Sequence, residues 1–362
     1  GQLFFNDTMR VLYATDASVY KEYPTAVCYP KNKKDIQLLI EYAKQHKIPL
    51  IPRTAGTSLG GQVVGNGIIV DVSKHFTQLI EVNKEEKYCI VQPGIIRDEL
   101  NHKLKTTGLF FAPETSTANR AMIGGMVGNN SCGTNSIVYG STRDHVRSLT
   151  CFLSDGSEVV FENLSAISFN KKTQQTNLEG DIYSFLFKEL SNEETKNEIK
   201  SQFPNTKIHR RNTGYAVDEL LKQQPFEANG KPFNLSELIC GSEGTLAFIT
   251  EIKLNLVSIP PKEKVVVAIH FKTLEESLQA TVIAMQHKPS ACELMDKIIL
   301  DCTKQNIEQN KNRFFVKGDP EAILCVEFHA ETKEEVEAKV NALQSHFESE
   351  NVGYHFPAIY GN

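Results

Sequence analysis

Three segments rich in glycine, serine and threonine lie far apart in this chain of 362 residues. They are residues 53–61 (RTAGTSLGG), residues 113–135, and residues 240–245 (CGSEGT). Glycine allows close backbone approach and unusual φ/ψ angles, and hydroxyl side chains add donors without adding charge. The fold must therefore explain three separate, amide-rich loops, each suited to a large polar ligand.

The first loop follows a β-α-β pattern. Residues 23–30 form a strand bracketed by prolines, residues 33–46 an amphipathic helix, and residues 48–52 a buried strand. Such a unit predicts a right-handed crossover, with the loop at the carboxyl end of its strand. Loops at that position commonly bind ligands in α/β folds.

The composition of the first loop suits a pyrophosphate. Its glycines let backbone N–H groups come within hydrogen-bond distance, and Thr57 and Ser58 add hydroxyl donors. Arg53 could offset the phosphate charges. The alternative is an ordinary turn between two strands.

Two better-known phosphate loops do not fit. Gly56 and Gly61 have the Walker A spacing, but Gln62 and Val63 stand where lysine and Ser/Thr are required. No G-x-G-x-x-G opens a helix, which disfavours a Rossmann NAD site. An NTPase is disfavoured as well.

The other two loops also predict a backbone-rich wall. Residues 113–135 interleave glycine with Asn, Ser and Thr over a length that is unusual for a plain loop. Residues 240–245 lie between an apolar stretch and a strand, where a simple turn is the alternative. Cys132 has no histidine nearby in sequence, and Ser242 lacks the G-x-S-x-G elbow, so neither is predicted to be a nucleophile.

A fourth polar segment covers residues 210–215 (RRNTGY), ahead of a helix through 218–221. Its arginines and its ring could hold an anion or a ring system. A solvated basic turn is an equally good interpretation.

The remaining pattern indicates further elements and a domain boundary. Strands are predicted at 68–72, 79–82 and 88–92, a helix from Asp98 to the C-cap Gly108, and a hairpin around Asp155-Gly156. Two prolines at 260–261 mark the boundary after a strand at 251–257. Beyond it, β-α-β-β-α-β is predicted at 265–271, 274–287, 291–295, 323–328, 334–349 and 352–356, a ferredoxin-like order.

Composition excludes several classes of protein. The net charge of −5 argues against an extended nucleic-acid surface, and no apolar run reaches the roughly 20 residues of a membrane helix. Eight cysteines without a C-x-x-C pair, and no secretory signal, predict reduced thiols in the cytoplasm. The histidines show no ligand-like spacing, so no metal site is predicted within this chain.

Together, these loops resemble the FAD-binding domain of the vanillyl-alcohol oxidase superfamily, in its glycolate oxidase, D-lactate dehydrogenase and D-2-hydroxyglutarate dehydrogenase branch. Residues 52–62 resemble the pyrophosphate loop, and 122–133 with Tyr139-Gly140 the second flavin loop. Residues 211–215 and 241–245 resemble its Asn-Thr-Gly-Tyr and Gly-Ser-Glu-Gly-Thr segments. The similarity extends from about residue 23 to residue 257.

The resemblance implies an α+β fold. After an N-terminal helical lead-in at 1–22, it places a PCMH-type FAD-binding domain of two α/β subdomains at 23–258. Residues 259–362 would form part of a ferredoxin-like α+β cap domain over the substrate, with 293–296 resembling its start.

The resemblance also implies the residues that contact FAD. The cofactor would be non-covalent, because Thr57 stands where covalently flavinylated relatives carry histidine. The implied contacts are Pro52, Arg53, Ala55, Gly56, Thr57, Ser58, Leu59, Gly60, Gln62, Pro113, Glu114, Thr115, Gly124, Gly125, Asn129, Ser131, Gly133, Tyr139, Gly140, Gly241, Glu243, Gly244 and Ile249.

The implied activity is FAD-dependent oxidation of a small D-2-hydroxy acid, with hydride transfer from C2 to flavin N5. The arginine for the substrate carboxylate, the metal ligands and the base are expected downstream of the point that matches Asn362, so no catalytic residue is assigned here. Two alternatives remain: an FAD-binding fragment without turnover, and a nucleotide-binding transferase.

The expected partners are the hydroxy acid and an unidentified electron acceptor, with a homodimer as one option for assembly. No nucleic acid and no transmembrane segment are expected. The location is cytoplasmic or peripheral to a membrane.

Overall fold

The computed structural model describes residues 1–205, 207–208, 210–211 and 214–361. Contacts between residues divide the chain into two compact units. The first comprises residues 1–133 and 140–258, and the second comprises residues 134–139 and 259–362. The chain therefore passes to the second unit after Ser258, next to the double proline, and also at residues 134–139, where the second loop ends and its continuation begins.

A four-stranded sheet opens the first unit, in the order β1-β2-β4-β3. The middle strand β4 pairs in parallel with both β2 and β3, whereas β1 is antiparallel to β2. The strands are β1 (Gln2–Phe4), β2 (Ala26–Tyr29), β3 (Leu50–Arg53) and β4 (Ile68–Asp71). The predicted β-α-β unit is confirmed, with β4 inserted between its two strands.

Helix α2 (Lys33–His46) connects β2 to β3, and α1 (Asp7–Leu12) precedes them. Helix α2 begins where the Asn32 side chain accepts the Asp35 N–H at 3.0 Å, a standard N-cap bond. Ile36, Ile40 and Ala43 recur at helical spacing and are buried. This apolar stripe fixes the helix on the sheet, with the first loop starting directly after β3.

A five-stranded antiparallel sheet forms the rest of the first unit, in the order β5-β6-β10-β8-β9. The predicted hairpin is confirmed as β8 and β9, with Gly156 in its turn at φ 85°. A short pair, β7 with β11, stands beside it. The strands are β5 (Leu79–Asn83), β6 (Tyr88–Val91), β7 (Leu109–Phe110), β8 (Val146–Phe152), β9 (Glu158–Phe161), β10 (Phe248–Asn255) and β11 (Val257–Ser258).

The helices between residues 97 and 239 belong to the first unit, except the one at residues 136–139, which belongs to the second. An aromatic cluster joins two of them, and in it the buried Phe169 ring contacts Tyr183, Phe187, Phe226 and Phe233. The helices are α3 (Arg97–Leu104), α4 (Ile123–Asn129), α5 (Ser136–Tyr139), α6 (Ala166–Thr173), α7 (Leu178–Ser191), α8 (Glu193–Gln202), α9 (Val217–Leu221) and α10 (Ser236–Ile239).

The second unit has a four-stranded antiparallel sheet, in the order β13-β14-β12-β15. The ferredoxin-like succession is confirmed, with helices α12 and α13 added between the second and third strands. The elements are β12 (Glu263–Phe271), α11 (Leu274–Gln286), β13 (Ala291–Asp296), α12 (Lys297–Gln305), α13 (Ile307–Lys311), β14 (Ala322–Ala330), α14 (Lys333–Ser349) and β15 (Ala358–Tyr360).

Two local predictions were wrong. The lead-in at 1–22 is not simply helical, because β1 extends the first sheet. The strand predicted at 352–356 lies instead at β15, since Asn351 and Gly353 adopt positive φ angles of 55° and 77° and turn the chain first. The glycine-rich second loop contains a helix, α4, for which no prediction was made.

The aromatic cluster generates a stability prediction. Replacing the fully buried Phe169 by alanine is expected to lower the free energy of unfolding by about 3 to 5 kcal/mol, because a large cavity remains. Ile167→Ala, on the same helix but 70% exposed, should change it by less than about 0.5 kcal/mol. Urea unfolding of both variants measures the difference, and equal losses would contradict this view of the core.

Candidate functional site

The three predicted loops meet around one cavity of about 520 Å³ in the first unit. Its size lies in the range of small-molecule and cofactor sites. Residues of all three loops line it. The lining residues that the sequence had assigned are Pro52, Arg53, Gly56, Thr57, Ser58, Leu59, Gln62, Thr115, Gly124, Gly125, Asn129, Ser131, Glu243, Gly244 and Ile249.

Glycines allow the loops to come this close. A Cβ added to Gly125 would stand 2.5 Å from the Thr54 hydroxyl oxygen, so only a bare backbone lets α4 approach the first loop. A Cβ at Gly124 would stand 2.5 Å from Cβ of Pro93, which is shorter than any ordinary carbon contact. The second loop thus presents bare backbone to the side chains of Thr54 and Pro93.

The third loop is docked on helix α4 by main-chain hydrogen bonds. Gly241 N–H donates to the Val127 carbonyl at 3.0 Å, and Glu243 N–H donates to Gly128 at 2.9 Å. Arg143 supports the same loop, donating to the Cys240 carbonyl at 2.6 Å. Glu243 itself adopts φ 53°, a left-handed conformation that is uncommon for a residue with a side chain.

The cavity wall carries main-chain donors that the protein does not use. Among the described residues, the N–H groups of residues 56–59 donate no hydrogen bond to another part of the chain, and neither does that of Gly244. These donors line the cavity from two loops. A ligand with several clustered acceptor oxygens fits such a wall, as a diphosphate does.

The charges around the cavity favour an anion. Three arginines line it, Arg53, Arg120 and Arg210, whereas Glu243 is the one carboxylate among its described lining residues. Burial raises the pKa of Glu243, although hydrogen bonds from Asn129, at 3.0 Å, and from Gln62 oppose the rise. A raised pKa reduces the negative charge that this carboxyl contributes.

Some assigned residues lie outside the lining. In the first unit these are Ala55, Gly60, Pro113, Glu114, Gly133, Gly140 and Gly241, and Tyr139 belongs to the second unit. Gly133 still has a close-packing role, because an added Cβ would collide with Glu114. Gly140 and Gly241 have positive φ angles of 69° and 93°.

The structure adds lining residues that were not assigned. Ser116, Thr117 and Arg120 fall inside the second loop, so their region was found although their contacts were not. Val72 and Pro93 carried no sequence signal. The complete set of additions is Ala17, Thr54, Val63, Val72, Pro93, Ser116, Thr117, Arg120, Ala121, Met122, Met126, Gly128, Cys132, Arg210, Ala247 and Phe248.

The basic segment at 210–215 has two different roles. Arg210 lines the cavity, whereas Arg211 forms ion pairs with Asp218 at 2.5 Å and with Glu219 at 3.2 Å. Asn212 and Thr213 of the Asn-Thr-Gly-Tyr segment lie outside the described residues. The Tyr215 hydroxyl is 2.7 Å from that of Thr245, which joins this segment to the third loop.

The described residues contain neither a metal-binding group of side chains nor a membrane-spanning helix. No group of three or more His, Cys, Asp or Glu side chains is placed to hold a metal ion. No helix in that part of the chain has the length and apolar character needed to cross a membrane.

Comparison with known families identifies the class. Residues 24–162 match the model of an FAD binding domain, and residues 260–358 match the C-terminal domain of FAD linked oxidases. The chain belongs to the FAD-linked oxidases, and the resemblance inferred from its loops is confirmed. The cofactor that both matches name is FAD.

Within this class, the chain is similar to D-2-hydroxyglutarate dehydrogenase of Pseudomonas putida, with 34% identity over 358 residues. That match covers 97% of this chain but 34% of the relative. Glycolate oxidase subunit GlcD of Bacillus subtilis is 28% identical over 292 residues, covering 80% of this chain and 49% of the relative. The chain thus spans about a third of the length of the first relative.

A solved structure supports the fold. The match to a solved structure of p-cresol methylhydroxylase covers 99% of this chain and 62% of the methylhydroxylase chain, with a TM-score of 0.66 and 12% identity. Likeness at this identity concerns the fold, and the predicted α+β, PCMH-type class is confirmed.

The close packing of helix α4 yields a prediction about FAD. Gly124→Ala should weaken FAD binding at least about tenfold, because the new methyl collides with the rigid Pro93 ring and pushes the second loop outward. Gly361→Ala is the control, since it lies outside the cavity lining and an added Cβ there would meet no atom within 4 Å. Fluorescence titration of the flavin-free protein measures both, and equal affinities would contradict the packing argument.

Glu243 yields a prediction about pH. The folded state raises the pKa of this carboxyl above its usual 4.5, so folding favours the protonated form and the charged form lowers stability. As the pH rises from 4.5 through the raised pKa, the wild type should lose stability relative to Glu243→Gln. Denaturation of the flavin-free proteins at several pH values measures the gap. Glu337→Gln, at an exposed position on α14, is the control and should show no such widening.

Proposed function

We propose that this chain is the FAD-binding part of a dehydrogenase that oxidises a small D-2-hydroxy acid. The observation that carries the proposal is one cavity where all three loops meet, with unused main-chain donors on the first and third loops and three arginines in its lining. The relatives add the substrate class, because their names specify D-2-hydroxyglutarate, glycolate and D-lactate.

The residues around the cavity fit FAD. N–H groups of residues 56–59 and of Gly244 would hold the diphosphate, with Arg53 supplying positive charge. Non-covalent binding is consistent with Thr57 in the first loop, since threonine is not a residue that bonds to the flavin ring. When bound, FAD would supply the redox chemistry by accepting the hydride from C2 of the substrate.

This chain's own contribution to the reaction is to bind and orient the cofactor. The first and third loops, which line the cavity, would hold the dinucleotide in one position. The carboxylate-binding arginine and the proton-accepting base are proposed to lie outside residues 1–362, as the resemblance implies. A homodimer, an electron acceptor of unknown identity and a cytoplasmic or membrane-peripheral location remain proposals too.

The second candidate is a module that holds flavin without turnover. It is suggested by the share of the relatives that the chain covers, about a third of the D-2-hydroxyglutarate dehydrogenases. The match of residues 260–358 to the C-terminal domain of FAD linked oxidases favours the enzyme instead, because the chain matches both domains of that class.

Anaerobic spectroscopy distinguishes the two candidates. The purified chain, loaded with FAD, is expected to be yellow. Expressed together with the residues proposed to lie outside 1–362, it should lose its flavin colour when D-2-hydroxyglutarate, D-lactate or glycolate is added. The L-enantiomers of the first two serve as controls and should leave the colour unchanged. A yellow protein that no D-acid bleaches would support the binding module. A colourless protein that takes up no added FAD would rule out both.

A further inference from the structure

The segment that precedes the matched family region packs directly on the first loop. The FAD-binding model begins at residue 24, yet Ala17 lines the cavity and its N–H donates to the Gly56 carbonyl at 3.0 Å. A Cβ added to Gly61 would stand 2.6 Å from the Tyr20 ring. The N-terminal segment therefore packs against the first loop and contributes to the lining of the cavity.

Arg53 is held by this segment. Its Nη2 donates to the Thr15 carbonyl at 2.9 Å and its Nη1 to the Tyr13 carbonyl at 3.4 Å. The guanidinium also lies over the Tyr13 ring, 5.0 Å from the centroid, in a cation–π contact. On its other side, a Cβ at Gly56 would stand 2.9 Å from Nη2. The guanidinium is thus enclosed between Tyr13 and the backbone of the loop.

The Tyr13 side chain is held in place by its hydroxyl group, which contacts Asp71 and Tyr29. Its hydroxyl donates to Oδ2 of Asp71 at 2.5 Å and lies 2.8 Å from the Tyr29 hydroxyl. Asp71 is 5% exposed and also accepts the Ser73 N–H at 2.7 Å. Burial, with the hydrogen bond to Asp71, raises the pKa of Tyr13 well above its usual value, so the hydroxyl stays a donor.

Arg53 on β3 and Asp71 on β4 are direct neighbours in the parallel pair of strands. Tyr13 connects their opposite charges, because its ring contacts the guanidinium and its hydroxyl donates to the carboxylate. A guanidinium has five N–H donors, and only two donate to the segment. Arg53 also lines the cavity, where its remaining N–H donors would meet a bound diphosphate.

We propose that Tyr13 is a positioning residue of the cofactor site, which holds the Arg53 guanidinium where it meets the diphosphate of FAD. Residues 13–17 thereby belong to the dinucleotide site, although they lie outside the matched domain. This inference rests on the proposed binding of FAD in the cavity. Tyr13 acts through Arg53 and does not itself need to touch the cofactor.

A double-mutant cycle tests the proposal, with Tyr13→Phe, Arg53→Lys and the double variant of the full chain. Phenylalanine keeps the ring but loses the bond to Asp71, so FAD affinity should fall about five- to tenfold. In the Arg53→Lys background the same change should cost less than about twofold, because the group that Tyr13 positions is gone. Titration of the flavin-free proteins with FAD gives the four dissociation constants.

Two further variants separate positioning from general packing. Asp71→Asn should weaken FAD binding in the same direction as Tyr13→Phe, and Tyr23→Phe, at a 46% exposed position on the same segment, should not. Losses that add fully in the cycle, or an unchanged affinity of Tyr13→Phe, would overturn the role of Tyr13 while leaving FAD binding intact. A wild-type chain that binds no FAD would overturn the proposed function and this inference together.

Discussion

The absence of side chains at a few contact points is the constraint on which the cofactor site depends. Helix α4 approaches the first loop and Pro93 at distances that no Cβ would allow, as Gly124 and Gly125 show. The third loop then bonds to α4 through its main chain. Because these contacts bring the loops together, residues 56–59 and Gly244, whose N–H groups donate no hydrogen bond within the described chain, line one cavity.

Charge complements this geometry without dominating it. The arginines around the cavity are partly committed to the protein, and Arg53 in particular is bound to two carbonyls and stacked on Tyr13. A guanidinium held in this way loses little conformational freedom when an anion arrives. The N-terminal segment therefore contributes preorganisation to a site whose donors come mainly from the main chain.

The two compact units divide the sequence in a way that the loops alone do not suggest. Residues 134–139, the continuation of the second loop, belong to the second unit. There, the Asn135 amide donates to the Ser290 carbonyl at 3.1 Å and to the Glu327 carboxylate at 3.3 Å. Lys264 and His329 bond to the same carboxylate, at 2.5 and 3.0 Å, and keep it ionised by lowering its pKa. A single stretch of chain thus serves both units.

The sequence by itself determined the local features whose causes are local. Amphipathic helical spacing predicted α2, a turn dipeptide predicted the β8–β9 hairpin, and glycine-rich composition singled out the loops together with their family. Tertiary structure alone decided that Ala17, Val72 and Pro93 line the same cavity, that β4 lies between β2 and β3, and that Tyr13 supports Arg53. These are contacts between residues distant in sequence, and periodicity and propensity carry no information about which distant surfaces meet.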